Sequence, residues 1–279
     1  KSFDNYSPGG MHVHAGAVIL EPGLTQKHFN DAAKQGVWLA KAGFGKFKSP
    51  FEYKPYVAMA KKAGMIVNVH TGGASIPDSS PITGDHLLHM QPTVSFHING
   101  GPVAMPDKDF ARIINESDIA MQICQAGNIR TAIMCLNMAI EAQEFDRLIF
   151  ATDTPTGTGM MPLGMIKTVV EMACLTDHSP EMMVCAATGN NANVYKLNTG
   201  FIKRGKDADI MIVDAPLGST GKTALDAIKH GDYPAIPAVF TDGIPRFIHR
   251  SRNTPPSTRK MRLKRNTVLQ EFEPGRHTL

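Results

Sequence analysis

Met65-Ile66-Val67-Asn68-Val69-His70-Thr71-Gly72-Gly73 decides how the chain is read. A mostly apolar, β-branched run ends on a histidine and breaks at two glycines, the outline of a strand buried on both faces that stops at a turn. Three other segments share that outline. Val37–Lys41 ends on a lysine, Thr93–His97 on a histidine and Leu148–Asp153 on an aspartate, each followed by a glycine-bearing loop. With His12–Leu20 and Ile119–Ile123 they make six predicted strands. Helical patterns fall between them at Thr25–Gln35, Phe51–Ala63, Asp107–Asn115, Ile129–Ala142 and Pro162–Leu175. Strand alternating with helix marks βαβ units on a parallel sheet. In a parallel α/β barrel the site is built from the C-terminal ends of the strands, so Lys41, His70, His97 and Asp153 are expected on one rim.

Beyond residue 200 the texture changes. A tight turn around Gly200 to Gly205 leads into an alternating strand ending at Asp214, and Ala238–Thr241 and Arg246–His249 read as short strands joined through Asp242-Gly243. The expected organisation is a partial α/β barrel over 1–200, a small β segment over 201–256 and a basic tail over 257–279.

With 279 residues, 42% of them hydrophobic, the chain can bury a substantial core. Its net charge is +4, and the tail concentrates the positive residues: Arg250, Arg252, Arg259, Lys260, Arg262, Lys264 and Arg265. No aromatic side chains interleave with these charges, so a solvated tail is expected and not a nucleic-acid surface. No run of 18 apolar residues appears, which argues against a membrane span. Cys124, Cys135, Cys174 and Cys185 form no Cys-x-x-Cys motif and are expected to be buried reduced thiols, consistent with the cytoplasm.

The Lys, His, His, Asp series followed by Gly200-Phe201-Ile202-Lys203-Arg204-Gly205-Lys206-Asp207-Ala208-Asp209 resembles the amidohydrolase superfamily. Gly16–Glu21, His70–Pro77, His97–Pro102, Pro155–Gly159 and Ser251–Pro256 are similar, more narrowly, to the enamidases. That resemblance implies a metal-dependent (β/α)8 barrel, of which about six of the eight strands are present, with part of a small β-sandwich. It implies hydrolysis of a cyclic amide C–N bond: 6-oxo-1,4,5,6-tetrahydronicotinate to 2-formylglutarate and ammonia, in nicotinate degradation. Imidazolonepropionase-like and dihydropyrimidinase-like ring openers are the enzymatic alternatives, and a catalytically inactive fragment is the non-enzymatic one. Two divalent ions, zinc and/or iron, are implied as cofactors. The partner is a small-molecule substrate, and a homo-oligomer, a tetramer by analogy, is expected.

The same resemblance assigns the roles. Lys41 takes the anionic bridge between two metals, His70 and His97 ligate the second, and Asp153 binds metal and serves as base. The enamidases carry Glu at the bridge, so Lys41 would need to be carboxylated to match it. Each residue also has an ordinary reading: Lys41 as a lysine that lays its stem on apolar surface, the histidines as core groups bonded to backbone, Asp153 as a helix cap. Their common place at strand ends favours the site.

His12-Val13-His14 has the form of a metal-binding pair, since alternate strand residues share a face. The span from His14 to Lys41 holds one helix and one strand, and a βαβ crossover takes about 30 residues. His12 and His14 are therefore expected on the third strand as ordinary barrel residues, with strands one and two and the metal-binding His-x-His upstream, the chain being a truncated piece. Asn99, Gln125, Asn128, Thr154 and Thr158 are read as rim-loop residues that either orient substrate or stabilise turns. His86 and His89 are expected on a helix at the surface.

Overall fold

The structure, a computed structural model, describes residues 12–44, 47–101, 103–154, 157, 159–248, 251 and 253–262. Pro155, Thr156 and Thr158 of the loop after Asp153, and Arg250, Arg252, Lys264 and Arg265 of the basic run, lie outside the described residues. The chain divides into two units: one of residues 14–168 and 193–195, the other of His12–Val13, 169–192 and 196 onward.

The first unit is a six-stranded parallel sheet whose spatial order follows the chain: β1 (Ala17–Ile19), β2 (Leu39–Ala42), β3 (Ile66–His70), β4 (Val94–Phe96), β5 (Ala120–Cys124) and β6 (Leu148–Ala151). Between them run α1 (Gln26–Lys34), α2 (Lys54–Lys62), α3 (Gly84–Met90), α4 (Asp107–Glu116) and α5 (Ile129–Glu141), with α6 (Gly164–Cys174) following. The amidohydrolase-type α/β architecture read from the sequence is the one observed.

Strand pairing fixes which side chains share a face. Leu39 pairs with Ile66, Asn68 with Val94, Val94 with Ala120, and Gln122 with Ile149, so these residues point one way. The other face carries Ala40, Val67, Val69, Met121, Ile123, Leu148 and Phe150, all nearly inaccessible to solvent; α2 lies against β2 and β3. Each such fully buried Val, Leu, Ile or Phe contributes about 1.5–3 kcal/mol of transfer free energy. On the first face the strands begin apolar. Ile66, Val94, Ala120 and Ile149 form a buried cluster, with Trp38, Leu39, Val194 and Tyr195 packed against it. Toward the C-terminal ends that face turns polar, through Asn68 and Gln122 to Lys41, His70 and Cys124. The gradient from apolar to ionisable along one face positions the site.

The second unit holds an antiparallel sheet ordered β7 (Ile210–Asp214), β8 (Ala235–Thr241) and β9 (Ile244–Ile248). Asp242 and Gly243 link β8 to β9 with φ of 54° and 74°, the left-handed pair that a tight hairpin requires. Pro237 lies inside the central strand, where the β7–β8 register shifts between Ile212 and Asp214, so the amide it lacks falls at a break in the ladder. Three helices escaped the sequence reading: α7 (Pro180–Ala187), α8 (Gly189–Tyr195) and α9 (Ala224–Lys229).

Two expectations are corrected. His12–Leu20 is not one strand: Gly16 takes φ 109°, and only Ala17–Ile19 pairs with β2. His12 and His14 precede it outside regular structure. His12 belongs to the second unit, its Nδ1 3.0 Å from Asp209 and its Nε2 2.9 Å from Asp242. His14 packs edge-on to Trp38. The four thiols are free, but only Cys124 and Cys135 are buried; Cys174 is intermediate and Cys185 exposed. Among the described residues no helix is long and apolar enough to cross a membrane.

Candidate active site

β2 places Lys41 on the polar part of the sheet face, half-buried, with its ammonium 3.8 Å from the centre of the Phe96 ring and 5.4 Å from that of Phe44. Burial drives its pKa from the ordinary 10.5 down to about 7, against the pull of the Asp153 charge. At neutral pH a substantial share of the amine is therefore unprotonated.

His70, the last residue of β3, and His97, the residue after β4, are both buried, and His70 Nδ1 lies 3.1 Å from His97 Nε2. Their other nitrogens face backbone carbonyls: His70 Nε2 that of Gly73, His97 Nδ1 that of Thr71 at 3.1 Å. A carbonyl can only accept, so both outward nitrogens carry the proton. Burial lowers both pKa values, that of His97 to about 3, with the Lys41 and His70 charges adding to the effect on His97. Both rings are neutral at pH 7. The two facing nitrogens consequently aim lone pairs at one another, an arrangement that a cation relieves. Carbonyl-oriented neutral imidazoles are also how proteins present histidine to a metal. The donor set fits a divalent ion.

Gly43 is needed for this geometry. At φ 109°, a side chain there would put its Cβ 2.5 Å from His70 Cβ. His97 and Asp153 themselves take φ of 35° and 56°, beyond the last paired residues of β4 and β6. Left-handed backbone at non-glycine residues costs of order 1–3 kcal/mol and concentrates where function requires it. Asp153 accepts a hydrogen bond from the Gly157 amide on its own carbonyl, and a Cβ at Gly157 would lie 2.5 Å from its Oδ2. Its charge acts on Lys41, His70 and Cys124. Burial pushes the Cys124 thiol up to about 12, so it is neutral beside them.

Lys41, His70, His97 and Asp153 thus lie at one end of the sheet. Asp153 does not complete a tight three-ligand group with the two imidazoles. Among the described residues, the His/Cys/Asp/Glu group whose ligand atoms fall within 4.8 Å of one another is His12, Asp209 and Asp242. The rim residues mostly stabilise turns. Asn99 donates to the Cys124 carbonyl and accepts from its amide, both at 2.9 Å, and Asn128 caps α5 by accepting from the Thr131 amide. Thr154 pairs with Thr152. Gln125 differs, since its buried Oε1 has no hydrogen-bond partner among the described residues. Phe96 and the carbonyls of Thr71 and Gly73 escaped the sequence reading. Phe96 carried a usable signal, as it immediately precedes His97 on a strand. The carbonyls carried none, because any residue type supplies one.

A sequence profile of the Amidohydrolase family matches residues 12–246. Enamidase from Eubacterium barkeri is 45% identical over 264 residues, which cover 94% of this chain and 68% of the relative. The crystal structure of enamidase superposes with a TM-score of 0.88 at 45% identity, over 93% of this chain and 67% of that one. More distant structures share the fold alone. β-Aspartyl dipeptidase from Fervidobacterium islandicum matches with a TM-score of 0.56 at 16% identity, over 86% of this chain and 68% of its own. Adenosine deaminase from Xanthomonas campestris also matches at 0.56, with 13% identity over 87% and 62%. On the profile match from His12 into β9 and the identity to enamidase along nearly its whole length, the chain belongs to the amidohydrolase family.

Proposed function

We propose that this chain carries out enamidase-like hydrolysis of a cyclic amide, with Lys41, His70, His97 and Asp153 as its working residues. The observation that carries the reading is the 45% identity to enamidase over 94% of the chain. The neutral, mutually facing imidazoles at the strand ends support it chemically. His70, His97, Asp153 and a carboxylated Lys41 would hold two divalent ions, zinc and/or iron, since imidazole nitrogen and carboxylate oxygen suit both. When bound, such a pair polarises the amide carbonyl and lowers the pKa of water from 15.7 to about 7.

The chain's own residues supply the rest. His70 and His97 stay neutral because burial opposes their charging, so their lone pairs remain available. Asp153 takes the proton released as water attacks the carbonyl carbon, then delivers it to the ring nitrogen as the C–N bond breaks. For 6-oxo-1,4,5,6-tetrahydronicotinate, one water opens the lactam and a second converts the freed enamine to an aldehyde, giving 2-formylglutarate and ammonia. The free thiols suit a reducing compartment such as the cytoplasm. By analogy the protein assembles as a homo-oligomer, a tetramer.

Ring opening of the cyclic enamide, followed as ammonia release, and of a hydantoin and an imidazolone, followed as loss of the intact ring because their opened products keep both nitrogens, each assayed after loading with zinc or ferrous iron, tests the reading. Turnover of the enamide that is lost in Asp153→Asn is expected. Turnover of another ring in its place, or of none, overturns it.

A further inference from the structure

Beneath the two imidazoles the sheet face carries two polar side chains, Asn68 and Gln122, that the hydrolysis itself does not use, and Tyr195 of α8 packs against that face. The regular pairing of β4 with β5 stops at Ser95 and Met121. Just beyond, His97 turns into the left-handed region at φ 35°, which takes its amide out of the ladder. Gln122 of β5 meets that break: its Oε1 accepts from the His97 amide at 3.3 Å, and its backbone carbonyl accepts from the Ile98 amide at 2.8 Å. The Gln122 amide nitrogen donates to the Tyr195 hydroxyl at 3.3 Å, and that hydroxyl donates to Asn68 Oδ1 at 3.2 Å. Asn68 is two residues before His70 on β3, on the same face. Asn68 and Gln122 are buried, and burial raises the Tyr195 pKa, so its hydroxyl remains a donor.

We propose that Gln122, held in place by Tyr195 and Asn68, is a positioning residue that fixes the left-handed turn at His97 and so aims the His97 imidazole at His70. The polar chain runs through side chains far apart in sequence, and each donor in it has one defined acceptor. Gln122 cannot rotate without leaving both the His97 amide and the Tyr195 hydroxyl short of a partner in a dry interior. An apolar residue of similar size would pack there equally well, yet would leave the His97 turn unsupported. The functional consequence rests on the reading of His97 as a metal ligand given above; the positioning of the turn does not.

The test uses the full chain and its Gln122→Leu, Gln122→Glu, Tyr195→Phe and His97→Ala variants, compared by hydrogen exchange at residue 97, cobalt(II) titration followed by visible absorption, and thermal melting. In Gln122→Leu the His97 amide is expected to exchange at least about tenfold faster and cobalt(II) affinity to fall about 10- to 100-fold, with an altered absorption band. Gln122→Glu keeps the Oε1 acceptor and is expected to restore slow exchange and the parental band. If Gln122→Leu, or Tyr195→Phe should the former not fold, leaves both exchange and absorption at parental values, the proposal is wrong. His97→Ala separates the two readings: undiminished cobalt(II) affinity there removes His97 from the metal site, while exchange at His97 in Gln122→Leu still decides the positioning.

Discussion

His70 Nδ1 and His97 Nε2 approach to 3.1 Å with no proton to share, because the second nitrogen of each ring is committed to a backbone carbonyl. This contact is unfavourable as it stands and favourable around a cation. Zinc added to metal-free protein is therefore expected to raise its melting temperature, since a ligand at 100 times its Kd stabilises the folded state by about 2.7 kcal/mol. Scanning calorimetry at increasing zinc concentration measures the gain. His97→Ala should lose most of it, and an equal gain in that variant would mean zinc binds elsewhere.

The proposed carboxylation of Lys41 is favoured by burial, which leaves much of its amine neutral near pH 7. The neutral nitrogen would attack carbon dioxide, a C–N bond would form and one proton would leave to solvent, turning the neutral amine into an anionic carbamate. Activity after metal loading is expected to rise with added bicarbonate, and carbon-13-labelled bicarbonate should give a carbamate resonance that Lys41→Ala lacks. Lys41→Ala should lose about 100-fold or more in activity, at the upper end for loss of a group that supports a metal. Lys41→Glu carries its own carboxylate and should be active without bicarbonate. Bicarbonate dependence persisting in Lys41→Glu would exclude Lys41 as the acceptor.

The strand carrying His70 was readable because every residue of Ile66–His70 is buried, and two-sided burial writes itself as a nearly unbroken apolar run. The polar ends of β2, β4 and β6 were readable because a polar residue closing an apolar run is conspicuous. The extent of β1 was not, because Gly16 at φ 109° ends the extended backbone within a run whose composition still favours a strand. Tertiary links are invisible to periodicity, so nothing near Gln122 points to Tyr195, 73 positions away. The missed helices are a different matter. Ser179-Pro180 is a start signal, and Thr223 with Asp226 is a capping box, so both α7 and α9 were marked locally.

His12 lies between two carboxylates, Asp209 and Asp242. Partial burial lowers its pKa, but the Asp242 hydrogen bond and the charges of Asp209 and Asp242 outweigh this and raise it above 6.5. A raised folded-state pKa stabilises fully below the unfolded value of 6.5, and that contribution fades as pH climbs through the folded value. The side chain is 24% exposed, so the contribution is set at about 0.5–1 kcal/mol. Urea midpoints of the parent and of His12→Gln should differ below pH 6.5 and converge two or more units higher. A constant difference across that range would show that His12 acts through packing and not through charge.

Lys229 closes the C-terminal end of α6 from a distance. Its ammonium reaches the carbonyl of Ala173 in the last turn of α6 at 3.0 Å, and those of Thr176 at 2.7 Å and His178 at 2.9 Å in the loop that follows. Three donors on one ammonium match three carbonyls, a geometry that a planar guanidinium does not reproduce. Lys229→Met keeps the aliphatic stem and deletes the donors. It is expected to cost about 2–4 kcal/mol, because charged hydrogen bonds contribute about 1.5–3 kcal/mol each and water recovers part of the loss at this half-buried position. Lys229→Arg should fall between Lys229→Met and the parent. The exposed Lys222 offers the control, since Lys222→Met should change stability by no more than about 0.5 kcal/mol. Equal urea midpoints for Lys222→Met and Lys229→Met would mean that water replaces the ammonium without loss and that α6 ends stably without it.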